Sequence, residues 1–226
     1  MLPVRAVFEK RRRAKYISHL DLMRCMQRAF RRAGVPIWFT EGFNPHAYLM
    51  FPLALSLGYE SGCEIMDFRL DGVMSMEEAM ERLNRVLPAD LQILSVAEPA
   101  AKHTDITAAE YRLLVPCAYS TVSPDALFAA WEAFYAQPEI LIEKKTKRGV
   151  SEIDLKPNSE VLSAEQTDAG VRLSLRMPAG TSVNVNPSLL IDAFTKYLAE
   201  HAPELKTGML RAERTAILCA DGSAFK

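Results

Sequence analysis

Residues 18–34 read SHLDLMRCMQRAFRRAG and predict the amphipathic helix around which the first half of the chain is organised. Ser18 is a suitable N-cap, Asp21 stands three residues later as in a capping box, and Gly34 supplies a left-handed stop. The apolar side of the helix consists of Leu22, Met26, Phe30 and Ala33. The opposite side consists of Arg24, Arg28, Arg31 and Arg32. The helix therefore offers one side to a hydrophobic core and a strongly basic side to solvent or a partner.

The segments around this helix complete a β-α-β-β-α-β order. Residues 4–8 read as a strand, and residues 9–16 as a loop or an extension of that strand. A second helix opens with a capping box at Ser75 and ends near Val86. The remaining strands are predicted at 37–40, 64–70 and 91–97, and residues 48–53 are predicted to be an extended run. This order predicts a ferredoxin-like domain over residues 1–98.

The second half of the chain repeats a similar order. Residues 99–108 lack periodicity and are predicted to be a linker. Helices open at Ser123-Pro124 and Asn186-Pro187, where a capping residue precedes proline. Strands are predicted at 111–117, 140–143, 152–155, 161–164, 171–177 and 211–219. We therefore expect an α+β protein of tandem ferredoxin-like domains, the second spanning 109–226 with extra hairpin strands.

The composition limits the class of protein. Among 226 residues, 49% are hydrophobic and 24% are charged, which is ordinary for a globular protein with a packed core. There is no apolar run of the roughly 20 residues that span a bilayer, and the first residues lack a signal-peptide pattern. The four cysteines are widely spaced, which favours reduced buried thiols over a metal site. We expect a cytoplasmic protein without a metal or cofactor.

The net charge of −1 conceals a strong asymmetry. Residues 1–32 contain ten basic and two acidic side chains, a net charge of +8, which leaves −9 for the rest of the chain. Such asymmetry suggests an anionic partner, and guanidinium groups suit phosphate oxygens. The predicted nucleic-acid contacts in this region are Lys10, Arg11, Arg12, Arg13, Lys15, Arg24, Arg28 and Arg31. A solvated helix face, or ion pairs with the acidic remainder, would also account for the arginines.

A second basic cluster is predicted to lie on a hairpin loop. Residues 144–149 read KKTKRG and lie between two strand candidates. Lys144, Lys145, Lys147 and Arg148 are predicted phosphate contacts. A solvated hairpin tip is the alternative, and whether the two basic clusters share one face stays open.

The turn from Gly42 to His46, with the sequence Gly42-Phe43-Asn44-Pro45-His46, is predicted to be a stiff recognition corner. Phe43 would be presented for stacking or buried as an anchor. His46 and His19 are candidates for acid–base catalysis of RNA cleavage, although each also suits a purely structural role. No catalytic residue is assigned on this basis.

Several motifs resemble those of one bacterial family. The stretch from Tyr16 to Arg24 contains SHLD, residues 28–36 read RAFRRAGVP, and residues 41–46 read EGFNPH, with Thr40 where serine is commoner. Residues 57–61 (LGYES), 147–149 (KRG) and 152–154 (EID) with Pro157 complete the pattern. This pattern resembles the radical SAM-linked proteins, a domain of unknown function (DUF2344). The resemblance implies a radical SAM partner enzyme. The chain lacks the CxxxCxxC loop of such an enzyme, so it is not itself the radical enzyme.

Three functions follow as hypotheses. The first is an RNA-binding accessory protein that presents RNA to the radical SAM partner. The second is a protein adaptor for that enzyme without RNA contact. The third is a metal-independent endoribonuclease using His19 or His46, because tandem ferredoxin-like domains are similar to those of CRISPR-processing endoribonucleases. A small phosphorylated ligand in place of RNA, and the oligomeric state, stay open.

Overall fold

The computed structural model describes residues 1–119, 122–146, 149–181 and 183–226, without the side chains of residues 144–151. The protein is of the α+β class, and its described part contains four α-helices and a large, mostly antiparallel sheet. The chain forms two compact units, one of residues 1–106 with 214–226 and one of residues 107–213. Among the described residues, no helix has the length and apolar character needed to cross a membrane.

The first unit places two helices over an antiparallel sheet. Its elements are β1 (Leu2–Lys10), a 3-10 helix (Arg12–Tyr16), α1 (His19–Ala33), β2 (Leu49–Met50), β3 (Glu60–Leu70), α2 (Met76–Val86), β4 (Ile93–Ala97) and a 3-10 turn (His103–Asp105). β1 lies between β4 and β3 and is antiparallel to both, while β2 pairs with the end of β3. β10 (Arg211–Cys219) lies beside β3. The core lies between this sheet and the two helices.

The first helix forms as its local signals predict. Ser18 Oγ accepts a hydrogen bond from the Asp21 backbone nitrogen at 3.1 Å, and Gly34 ends α1 with a φ of +62°. Leu22, Met26 and Phe30 are buried against the sheet, where Phe30 meets Phe68 edge-on at 4.9 Å. The predicted separation of an apolar and a basic side is thereby confirmed.

The connection between α1 and β3 differs from the predicted strand at 37–40. Ile37 pairs with Leu70 and Phe39 pairs with Ala47 only as isolated bridges. The turn at residues 41–46 brings the chain back on itself, so Phe39 pairs with Ala47 of its own loop. Two residues, Leu49 and Met50, then form the short β2. The result is a small hairpin-like loop at the end of β3.

The described residues of the second unit contain α3 (Pro124–Tyr135), α4 (Pro187–His201) and five strands. These strands are β5 (Ile106–Pro116), β6 (Leu141–Thr146), β7 (Gly149–Asp154), β8 (Glu160–Thr167) and β9 (Gly170–Pro178). β9 lies between β5 and β8 in antiparallel pairing, and β6 pairs with β7 as a separate hairpin. Trp131 meets Phe194 at 5.2 Å and Phe134 at 5.6 Å, which fills the core beneath the helices.

The boundaries of the units differ from the predicted domains at two places. β5 begins at Ile106, inside the predicted linker 99–108. Residues 214–226, predicted as the end of the second domain, lie in the first unit. Two contacts hold residues 214–226 in the first unit. Arg214 donates to the carbonyl of Ala54 at 2.7 Å, and the Arg5 guanidinium stacks on the Phe225 ring at 4.1 Å. Such contacts between distant residues leave no periodic signal in the sequence.

Gly170→Ala is expected to destabilise the protein by about 3 kcal/mol, because it combines backbone strain with a steric clash. Gly170 has a φ of +138°, and an added Cβ would overlap the Val115 carbonyl oxygen and lie 2.9 Å from Pro116 Cα. Urea denaturation measures the loss. Gly72→Ala is the control, since Gly72 has a φ of +120° and open space around it. That control is expected to lose about 1 kcal/mol. Equal losses of stability in the two variants would contradict a contribution from the steric clash.

Candidate functional site

The outer side of α1 exposes four arginines, Arg24, Arg28, Arg31 and Arg32, which we call the arginine face. Arg24 forms a long contact of 3.4 Å with Asp21, and Arg32 donates to the carbonyl of Val86 at 3.1 Å. Within the described part of the chain, the guanidinium groups of Arg28 and Arg31 make no hydrogen bond or ion pair. Two cations on one helix side are therefore free to bind an anion.

Lys10 does not belong to this exposed positive surface. Its side chain is only 2% exposed, and its ammonium group donates to the Ile17 carbonyl at 3.0 Å. Burial lowers the pKa of Lys10, while Glu64 opposes that shift and Arg214 adds to it. The predicted phosphate contact of Lys10 is thus wrong, because β1 directs this residue into the interior.

The other basic residues before α1 divide into paired and unpaired groups. Arg11 forms an ion pair with Glu9 at 2.9 Å, and Lys15 forms one with Glu60 at 2.9 Å. Arg12 and Arg13 are exposed, and their side chains have no partner among the described residues. The N-terminal cluster therefore contributes fewer available cations than its charge suggests.

The turn that follows α1 is held by reciprocal bonds between Thr40 and His46. The Thr40 nitrogen donates to the His46 carbonyl at 2.9 Å, and the His46 nitrogen donates to Thr40 Oγ1 at 3.1 Å. Gly42 allows the corner with a φ of +124°. Phe43 is fully exposed at the tip, flanked by the exposed Asn44 and Pro45. The turn thus presents an aromatic ring to solvent, as one of the two predicted alternatives requires.

His46 has one ring nitrogen engaged within the turn. Its Nδ1 lies 3.2 Å from the Asn44 carbonyl and 3.0 Å from Thr40 Oγ1. A carbonyl can only accept, so this contact favours the proton on Nδ1 of a neutral ring. Nε2 then stays an acceptor without a partner in the described part of the chain.

A cavity of about 360 Å³ joins the arginine face to this turn. Its lining comes from α1, from the chain after Gly34 and from the loop: Gln27, Phe30, Arg31, Val35, Pro36, Ile37, Phe39, His46 and Ala47. Arg31 and His46, both predicted as site residues from separate motifs, are brought together here. Sequence reasoning missed Gln27 and Phe39. The one available signal was that Gln27 precedes Arg31 by four residues, on the same side of the helix.

The remaining predicted residues lie elsewhere. His19, at the start of α1, packs edge-on against Phe51 at 5.4 Å and does not line the cavity with His46. Lys144 and Lys145 belong to β6, but their side chains, like all of Lys147 and Arg148, lie outside the described residues. Among the described residues there is also no group of three or more His, Cys, Asp or Glu that could hold a metal ion.

The second unit contains a larger groove of opposite charge. Its volume is about 630 Å³, and among the described side chains one lysine, Lys196, lines it. The acidic lining residues are Glu139, Glu143, Glu152, Asp192 and Glu200. Carboxylates repel phosphate, so the cavity beside the arginine face is the better candidate for an anionic ligand.

Comparison with known proteins identifies a family without an assigned activity. No curated protein matches the chain. One solved structure, an unknown protein from Galdieria sulphuraria, is similar at 14% identity over 94% of this chain and 96% of that chain. Its TM-score of 0.26 is too low to relate the two folds. The family described as "Uncharacterized protein conserved in bacteria (DUF2344)" matches residues 4–187. The chain therefore belongs to this bacterial family of uncharacterised proteins, DUF2344.

Proposed function

We propose that this protein binds RNA through the arginine face and presents it to a radical SAM partner enzyme. The observation that carries the proposal is the pair of exposed guanidinium groups of Arg28 and Arg31, which have no partner among the described residues. Guanidinium groups form bidentate, charge-assisted hydrogen bonds with phosphate oxygens. Leaving two of them unpaired on one helix side costs little in water and preserves them for a ligand.

Single-stranded RNA suits this surface better than a duplex. Proteins that bind single strands combine basic tracks for the backbone with aromatic rings on which bases stack. Here Arg31 of α1 lines one cavity with the 51% exposed Phe39, and the fully exposed Phe43 lies four residues later. Both rings belong to the loop that also contributes His46 to the cavity.

The partner part of the proposal rests on the family resemblance. Radical SAM-linked proteins accompany an enzyme of that class, and this chain contains only widely spaced cysteines. A chain that holds the RNA while another chain supplies the radical chemistry would divide binding from catalysis. The proposed role is therefore that of an accessory protein.

We also propose that both units are elaborated ferredoxin-like domains. In the first unit, the order β1-α1-β2-β3-α2-β4 and the sheet sequence β4-β1-β3, with the short β2 paired to β3, support this assignment. In the second unit, the order β5-α3-β8-β9-α4 supports it, with β6 and β7 as an inserted hairpin. Ferredoxin-like folds host many functions, so the binding proposal rests on the site and not on this assignment.

RNA binding is expected to weaken steeply as salt rises. Arg12, Arg13, Arg24, Arg28 and Arg31 would neutralise five phosphates of a single strand. A log–log plot of the association constant against salt should then have a slope of about −3.5. Fluorescence anisotropy with labelled single-stranded RNA measures it. No binding at low salt, or binding indifferent to salt, would overturn the proposal.

A protein adaptor without RNA contact is the second candidate function. Tyr16, Leu20 and Phe43 are largely exposed, and aromatic and aliphatic groups of this kind suit a protein interface. The partner enzyme would then co-purify after RNase treatment, with no nucleic acid retained by the complex. Loss of the complex on RNase treatment would instead favour the RNA-binding function.

A further inference from the structure

We infer that the cavity between α1 and the loop receives one unstacked base of the bound strand, while the arginine face holds the flanking phosphates. This inference rests on the proposed RNA binding and adds to it a site that reads a single base. The expected occupant of the cavity is a planar, uncharged heterocycle that is covalently attached to an anionic backbone.

The size and floor of the cavity suit such an occupant. At about 360 Å³, the cavity lies near the lower end of the range of roughly 300–1,000 Å³ typical of small-molecule sites. It thus has room for one nucleotide base but not for an extended polymer. The apolar part of the lining comes from Phe30, Val35, Pro36, Ile37, Phe39 and Ala47. Phe39 is the one large apolar lining residue with about half its side chain exposed, so its ring can stack on an incoming base.

The polar part of the lining can read the edge of a base. The Gln27 amide presents donors and an acceptor side by side, and it has no hydrogen bond within the described part of the chain. His46 adds a second acceptor through Nε2, because its Nδ1 is engaged by Asn44 and Thr40. Two polar groups beside an apolar floor are typical of a site that orients a flat, polar-edged ligand.

Arg31 links this cavity to the phosphate-binding surface. It lines the cavity and also lies on the arginine face, three residues after Arg28. A base in the cavity would therefore place its own phosphates beside two unpaired guanidinium groups. Charge complementarity selects an anionic nucleotide over an uncharged heterocycle of similar shape.

The test compares two oligomers of about 12 units, which is within the site sizes of single-strand-binding domains. One is single-stranded oligoadenylate, and the other is a ribose–phosphate chain without bases. Phe39→Ala is expected to weaken oligoadenylate binding about tenfold and to leave the abasic chain unaffected. Gln27→Leu, at a partly buried helix position, should act in the same direction. Repeating the comparison with oligocytidylate and oligouridylate shows which base the edge groups prefer.

Matched controls lie in the second unit. Tyr119→Ala removes another exposed aromatic ring, and Gln166→Leu makes the same chemical change at an exposed position. Neither should alter binding of either oligomer. If Phe39→Ala and Gln27→Leu affect both oligomers equally, or affect neither, the base-binding inference is overturned while the proposed function stands. If the unaltered protein binds neither oligomer, the proposed function itself is overturned, and the base site with it.

Discussion

Replacing Arg24, Arg28 and Arg31 together with alanine is expected to lower affinity for single-stranded RNA about a hundredfold at about 0.1 M salt. Each phosphate neutralised on a single strand contributes about 0.7 to the salt slope, so the slope should also become shallower by about 2. Alanine is a good helix former, and the Arg24–Asp21 contact it removes is long and exposed, so α1 should stay folded. Anisotropy titrations at several salt concentrations measure both quantities, and circular dichroism checks the helix content.

The control for this triple variant removes the same charge from the second unit. Arg112, Arg172 and Arg176 are each paired with a glutamate, at 3.3, 3.6 and 2.8 Å from Glu213, Glu165 and Glu110. Replacing these three with alanine should leave the RNA affinity within about threefold, because paired arginines offer less to phosphate. An equal loss in both triple variants would show that net charge, and not the arginine face, governs binding.

The sequence predicted α1 well because the signals of a helix are local. Ser18, Asp21 and Gly34 lie within or next to the helix whose ends they fix, and each makes the contact or adopts the φ that its residue type favours. The same locality explains the second helix, where Ser75 Oγ accepts from the Glu78 nitrogen at 3.1 Å. Apolar periodicity then determines which side of each helix is buried.

The count of basic residues overstated the available positive charge, for a physical reason. The sequence does not show whether a lysine will lie at a buried position of a strand. Lys10 is the last residue of β1 and faces inward. Its neighbours Arg11 and Lys15 acquire partners, and the partner of Lys15 is Glu60, 45 residues away. The sequence alone does not distinguish these buried or paired residues from the unpaired Arg28 and Arg31, because the distinction depends on the fold. The arginine face itself could be predicted, because residues that share one side of a helix are determined by their spacing along the chain.

The cavity could not be predicted because it is made by three segments whose proximity depends on the fold. Gln27 comes from α1, Pro36 from the chain after the helix, and Phe39 from a loop that pairs with itself at Ala47. The motif containing Phe43 and His46 indicated that this loop is of interest. The spacing of the motif residues does not, however, predict a cavity. A turn motif next to an arginine-bearing helix was the nearest available hint.

Arg214→Met is expected to lower the free energy of unfolding by about 3–5 kcal/mol, because it leaves a buried carboxylate without its cation. Arg214 and Glu64 are 2% and 3% exposed, and the guanidinium lies 3.3 Å from Glu64 Oε1. The same guanidinium donates to the Leu53 carbonyl at 3.1 Å, so methionine would also leave a buried acceptor unpaired. Urea denaturation at neutral pH measures the loss.

Two comparisons separate the lost ion pair from the lost side-chain volume. Arg211→Met changes an exposed arginine of the same strand and should shift the free energy of unfolding by no more than about 0.5 kcal/mol. Adding Glu64→Gln to Arg214→Met removes the uncompensated charge, so the double variant should be more stable than Arg214→Met alone. It should not recover fully, because the carbonyls of Leu53 and Ala54 still lose their donor. If Arg214→Met lowers the free energy of unfolding by less than about 1 kcal/mol, the result would contradict a desolvated Arg214–Glu64 ion pair. It would mean that the ammonium group of Lys10 replaces the missing cation, since burial lowers the pKa of Lys10 and the Glu64 carboxylate opposes that shift.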